Sequence, residues 1–304
     1  LYNMGSGILR AVGDSRRPFY FLLVSAVLNT GLDLLFVLKF GMGVEGVAYA
    51  TIIAQAVSAA LTIWVLMRAA GCIRVELRAL RMTWSVLRQI VSVGIPAALQ
   101  MAITAFSNVF VQGYINYFGP DCMSGWTAYT KVDQLVILPV QSLSMASTTF
   151  VGQNYGAGKP DRVKKSYFIS LGYSFGVGLV LGAALFFCGP AFLALFTTEA
   201  AVIDAGMKRV AVMAFAYGIS AFMDCTIAAS RGLGKTVVPT VIVVLGSCVF
   251  RVIWVYTIFA HFHTIPALYL LYPCSWILTA LAEIAYFASC YKRAMAIFRK
   301  PAAA

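Results

Sequence analysis

The chain has 304 residues, of which 61% are hydrophobic and only 11% charged. Soluble domains carry about a quarter charged residues, so a water-soluble enzyme is excluded and a polytopic membrane protein is indicated. The formal net charge of +12 would suit nucleic acid in a polar chain, but in one this apolar it records which loops face the cytoplasm, and no nucleic-acid partner is expected.

Apolar runs of about 20 residues, enough to span a bilayer as a helix, recur in chain order. The remnant of a helix comes first, at 1–12. Leu1 is not an initiator Met and no signal peptide follows it, so the chain is expected to be cut from a longer one. Spanning helices are predicted over 18–38, 44–67, 89–116, 123–150, 167–188, 209–230, 237–259 and 266–290. The runs are continuous, whereas a membrane strand alternates over about ten residues. Four segments result: 1–67, a linker at 68–88, a helical body at 89–290 and a tail at 291–304.

The connectors around 10–17, 68–88, 154–166 and 231–235, with the tail, hold 18 of the 23 basic residues. They fall on every second turn of the chain, as eight crossings require, which puts the tail in the cytoplasm. Lys39, Lys208 and Arg209 belong to the opposite connectors. In the linker, Arg74, Arg78 and Arg81 share one helical face, which predicts an amphipathic surface helix. Arg10 to Pro18 matches Arg231 to Pro239 at an offset of 221, with Arg, Gly and Pro identical, so an internal repeat of two six-helix halves is expected.

Charges inside lipid cost several kcal/mol (about 2.5 or more) and survive facing a cavity or a partner. The candidates are Asp33, Lys131, Asp133, Asp224, Arg251 and Glu283. Asp224 shares a face with Tyr217 and Ser220; a carboxylate there can exchange a proton or bind a sodium ion with hydroxyl and carbonyl oxygens. The alternative is a structural pair with Arg251 or Lys131. Asp33 follows Asn29 and Ser25 at steps of four, giving either a part of the ion route or a local pair. Glu283 pairs with Arg231 or Lys292, or functions near the cytoplasmic mouth. Lys131 and Asp133 each find another helix, with Arg251 a candidate partner for Asp133.

Gln100, Thr104, Asn108, Gln112 and Asn116 place a polar residue at every fourth position of one span, and Gln134 and Gln141 extend that surface on the next. Such a stripe lines a wet cavity or bonds a neighbouring helix. Phe106, Phe110, Trp126, Met145, Phe222 and Met223 run alongside and could hold a flat organic cation by ring faces, or simply pack. Seven cysteines without a CxxC pair indicate neither disulfides nor zinc. Gly152 to Pro160 resembles a phosphate loop but lacks its first glycine and its Ser or Thr, so it is read as a turn.

Gly7 to Pro18, Phe40 to Thr51, Gly94-Ile-Pro96 and Val151 to Gly158 together resemble the multidrug and toxic compound extrusion (MATE) family of bacterial efflux transporters. The resemblance covers essentially the whole chain. It implies an all-α membrane protein of two six-helix lobes, here starting near the end of the fourth helix and lacking about 130 residues upstream, in which Na+ or H+ entry drives organic cations out across the plasma membrane. No other cofactor is implied, and a monomer is expected. Asp224 matches the acidic position of the tenth helix that takes part in cation coupling, while the seventh helix offers Gln100, Thr104 and Asn108 where some members have Glu. A lipid-precursor flippase on the same fold and a membrane-embedded transferase are the alternatives.

Overall fold

In a computed structural model the described residues are 1–69 and 71–299, and among them every regular element is helical. Residue 70 of the expected linker and residues 300–304 of the expected tail lie outside the described residues. The helices are α1 (Tyr2–Ala11), α2 (Arg16–Leu34), α3 (Val44–Arg68), α4 (Trp84–Ile115), α5 (Pro120–Gly156), α6 (Pro160–Ala194), α7 (Ala200–Met213), α8 (Ala216–Gly232), α9 (Val237–Phe262) and α10 (Ile265–Arg299). Local chemistry sets several starts. Pro120 and Pro160 open α5 and α6 at the position where a missing N–H costs nothing, and Asp121 and Asp161 sit in the first turns, where the helix dipole favours a negative charge. Within the helices Pro139 and Pro273 cause no break: α5 and α10 run on through them.

Among the described residues seven helices are long and apolar enough to cross a membrane, and the pair α7 and α8, bent by 55°, makes an eighth when taken as one span. The single helix expected over 209–230 is thereby corrected: helical structure begins at Ala200, stops after Met213 and resumes at Ala216. Helix α6 lies against this bend. A side chain on Gly182 would collide with the Ala214 carbonyl oxygen, and a Cβ on Gly178 would stand 3.1 Å from the Tyr217 carbonyl oxygen. Gly172 and Gly176, earlier on the same helix, face open space.

The chain divides into two compact units, Leu1–Trp84 and a second that begins at Ser85. In the first, Ser25 donates to the Ala54 carbonyl at 2.8 Å and Asn29 to Thr51 at 3.4 Å, so the Ser25, Asn29, Asp33 stripe of α2 looks onto α3. The amphipathic helix expected in 68–88 is not formed. The segment makes two short 3-10 turns, Gly71–Ile73 and Leu77–Ala79, with Gly71 at φ +76°. Three arginines on one face cannot offset the cost of nucleating a helix without an apolar surface to lie on.

The repeat is visible in the backbone. Helix α1 ends at Ala11 and α2 starts at Arg16; α8 ends at Gly232 and α9 starts at Val237, the same offset of 221. The Gly13 N–H donates to Arg10 and the Asp14 N–H to Leu9; equivalently, Gly234 donates to Arg231 and Lys235 to Ser230. Gly13 and Gly234 hold φ of +90° and +74°, a left-handed conformation that glycine adopts without strain.

In the second unit the core gathers on Tyr129, Val132, Tyr217, Leu268 and Tyr269. A smaller cluster around Val151, Val163, Tyr167 and Phe287 closes the other end of α5. Helix α9 is unevenly wound: wider π turns at Val244–Val249 and Val255–Phe259 flank the segment that carries Arg251. Such turns are frequent at functional sites.

Candidate functional site

A cavity of about 530 Å³ opens within the second unit, walled by side chains of α4, α5, α7, α8, α9 and α10. It is large enough for a drug-sized molecule. The polar stripe of α4 reaches it because 3.6 residues per turn keep every fourth side chain on nearly one face. Gln100, Thr104, Asn108 and Gln112 line it, joined by Gln134 and Gln141 of α5. Two of these amides are also fastened to neighbours. Gln100 accepts from Arg231 at 2.9 Å and from Thr240 at 3.3 Å, and Asn108 accepts from Arg251 at 2.9 Å.

Asp224 and Ser220, one turn apart on α8, line the same cavity. Ser220 donates to the Tyr217 carbonyl at 2.9 Å. Among the described residues the Asp224 carboxylate makes no hydrogen bond and no ion pair; Arg231 acts on it electrostatically, not Arg251 or Lys131. Tyr217 is fully buried, and its hydroxyl is turned to Asp133, to which it donates; the hydroxyls of Tyr217 and Tyr129 are also closely paired. Tyr129 donates to the same Asp133 oxygen at 3.1 Å.

The pairings expected of the other intramembrane charges are corrected. Asp133 lines the cavity but is held by two tyrosines, while Arg251 bonds Asn108 instead. Lys131 is exposed, in no ion pair among the described residues, and does not line the cavity. Glu283 is fully buried in α10 with neither carboxylate oxygen hydrogen-bonded, and Arg231 acts on it only at a distance. Asp33 stands in the other unit, half-buried, with one oxygen unpartnered. A buried carboxyl without partners costs stability that an apolar residue of similar shape avoids. Glu283→Met should therefore melt at or above the wild-type temperature in detergent; a fall of several degrees would mean that this carboxyl has a stabilising partner.

The residue that sequence reasoning missed is Arg209. Sorted as a loop charge, it lies ten residues into α7, is 6% exposed and lines the cavity. Its guanidinium carbon sits 3.3 Å from the Trp126 ring centre, 4.3 Å from Tyr129, 5.5 Å from Tyr272 and 5.9 Å from Tyr269. Locating the helix start at Ala200 would have been the signal. Of the aromatic and sulfur residues considered for a flat cation, only Trp126 and Met223 line the cavity, and Trp126 is already covered by Arg209. Phe106 and Met145 are exposed elsewhere.

Comparison with known proteins places this architecture. The fold is that of a solved structure described as MATE in the bent conformation, with a TM-score of 0.88 and 21% identity, covering 98% of this chain and 67% of that one. A probable multidrug resistance protein, YoeA of Bacillus subtilis, is 27% identical over 249 residues, 80% of this chain and 54% of its own length. An FAD transporter of Shewanella oneidensis is 27% identical over 227 residues, 72% of this chain and 49% of its own. The chain spans about half the length of the curated relatives it matches. The MatE family model matches residues 96–257, the stretch that contributes most of the cavity wall, and the chain belongs to that family.

Proposed function

We propose that this chain is the working part of a cation-coupled antiporter of a bacterial plasma membrane, in which entry of Na+ or H+ drives amphipathic organic molecules out of the cytoplasm by alternating access. The 291–304 tail then faces the cytoplasm, and the protein acts as a monomer. The relatives' multidrug-resistance and transporter names support this reading. The observation that carries it is Asp224, a carboxylate facing the cavity with no hydrogen bond or ion pair among the described residues.

A carboxylate so placed can take up a cation, and the neighbouring Ser220 oxygen can join it in holding one. Binding shifts the transporter only as far as the cation prefers one arrangement over the other. Reversing a 1:99 population requires a preference of about 10⁴-fold, and this is the work asked of the Asp224 site. Cargo affinity falls in the arrangement that the cation favours.

The test is transport by the intact gene product in liposomes. A sodium gradient at equal pH, and separately a pH gradient without sodium, should identify the ion that drives dye movement. Asp224→Asn should abolish gradient-driven movement while leaving the melting temperature within about 2 °C of wild type, the shift of a change below 1 kcal/mol. Gradient-driven movement at the wild-type rate in that variant refutes the reading.

A further inference from the structure

We propose that the cavity is selective for organic anions, molecules with an apolar body and a carboxylate or phosphate group, which Arg209 and Arg251 bind together. This rests on the transport reading for its physiological setting but not for its test. Both side chains line the cavity, and they are 6% and 3% exposed. The Tyr272 ring lies between them, 5.5 Å from one guanidinium carbon and 4.5 Å from the other, and the two charges act on each other.

A guanidinium keeps its proton in any protein environment. Two of them inside a membrane therefore impose a lasting positive charge that something must answer. The carboxylates of the cavity do not. Neither Asp133 nor Asp224 is within ion-pair distance of either arginine among the described residues, and Asp133 is already taken by Tyr129 and Tyr217. Ring faces screen Arg209, and Asn108 gives Arg251 one acceptor. Arg209 Nε and Nη1 and Arg251 Nε have no hydrogen-bond partner.

Ring faces attract a cation but accept no in-plane hydrogen bond. An oxyanion supplies both the missing charge and the missing acceptors, and guanidinium groups match its geometry. Met213, Met223, Ile227 and Trp276 offer the apolar body its surface. An organic cation, by contrast, would meet a wall whose best ring face, that of Trp126, is already occupied by Arg209 and whose two guanidinium groups offer it no acceptor. Exchange against the coupling cation then runs through the two transport arrangements, not through exclusion of like charges within the cavity.

The experiment is equilibrium binding to the intact gene product in phosphatidylcholine nanodiscs, read by fluorescence anisotropy, with two dyes of similar ring system: anionic fluorescein and cationic rhodamine 6G. Fluorescein should bind more tightly than rhodamine 6G. Arg251→Gln should weaken fluorescein roughly tenfold to a hundredfold, the range for a hydrogen bond to a charged group, and leave rhodamine 6G unchanged or tighter. Arg251→Lys, which keeps the charge, should recover part of the loss and guards against misfolding. Equilibrium binding needs no ion gradient, so a failure of the coupling assignment, which is read by gradient-driven transport, is distinguishable from a failure here. Tighter binding of rhodamine 6G by the wild type, or fluorescein affinity unmoved in Arg251→Gln, overturns the proposal. Competition by added phosphatidylglycerol would make a lipid headgroup the ligand and overturn the assignment to a free organic anion.

Discussion

Gly182→Val should cost more than about 3 kcal/mol of stability, at or beyond the upper end of what overpacking a core usually costs. The reason is the partner. The new side chain would strike the backbone carbonyl of Ala214 at the bend between α7 and α8, and a backbone cannot change rotamer to make room. Relief requires moving α6 away from α8, which would loosen the packing of Gly178 on Tyr217 as well. Gly172→Val is the control, because nothing stands within 4 Å of a Cβ there. Thermal unfolding in detergent should show a large fall for the first and little for the second. Equal melting temperatures would mean that close approach of α6 does not hold the bend.

Tyr217→Phe should be the second most damaging change, with a loss of roughly 1–3 kcal/mol, the usual penalty for leaving a desolvated polar group short of a partner. The orphan would be Asp133, which accepts from Tyr217 and Tyr129 through one oxygen. Tyr129→Phe removes the longer bond, at 3.1 Å, and should cost less. The two hydroxyls also contact each other, so the double variant should lose less or more than the summed singles by at least about 0.5 kcal/mol, the mark of coupled groups. Simple additivity, or no loss in Tyr217→Phe, would show that Asp133 has support from elsewhere.

Much of this fold could be read from residue order because a bilayer is a severe solvent: only closed hydrogen-bonding segments of fixed length survive in it. Long apolar runs therefore announced most of the helices, and the repeated Arg, Gly and Pro announced two equivalent turns. The stripe from Gln100 to Gln112 was legible for a similar reason, since periodicity alone says that those side chains share a face. Whether that face met water or a neighbouring helix was not. In the structure it does both, through the cavity and through Arg231 and Arg251.

What stayed hidden depends on distant partners. The bend at Ala214 arises where Gly182 of another helix presses on it, and hydropathy windows see no such contact. Arg209 was misplaced for that reason: counted from 209 it opens a span, counted from Ala200 it is inside one. Asp133 looked like a partner for Arg251 because opposite charges at similar depth attract attention. Two tyrosine hydroxyls, one of them 84 positions along the chain, satisfy it instead.

The uneven winding of α9 has a consequence for how its register can vary. Each widened turn accommodates an additional residue, and one residue corresponds to roughly 100° of rotation about a helix axis. Because the widened turn itself absorbs the additional residue, deleting a single position between Val244 and Val249 would restore ordinary pitch there while everything downstream kept its facing. The guanidinium of Arg251 would then stay at Asn108, whereas the same deletion in a regularly wound helix would turn every later side chain by that angle. A change of length by one residue in this stretch is therefore absorbed locally, and the part of the wall that Arg251 contributes is shielded from it.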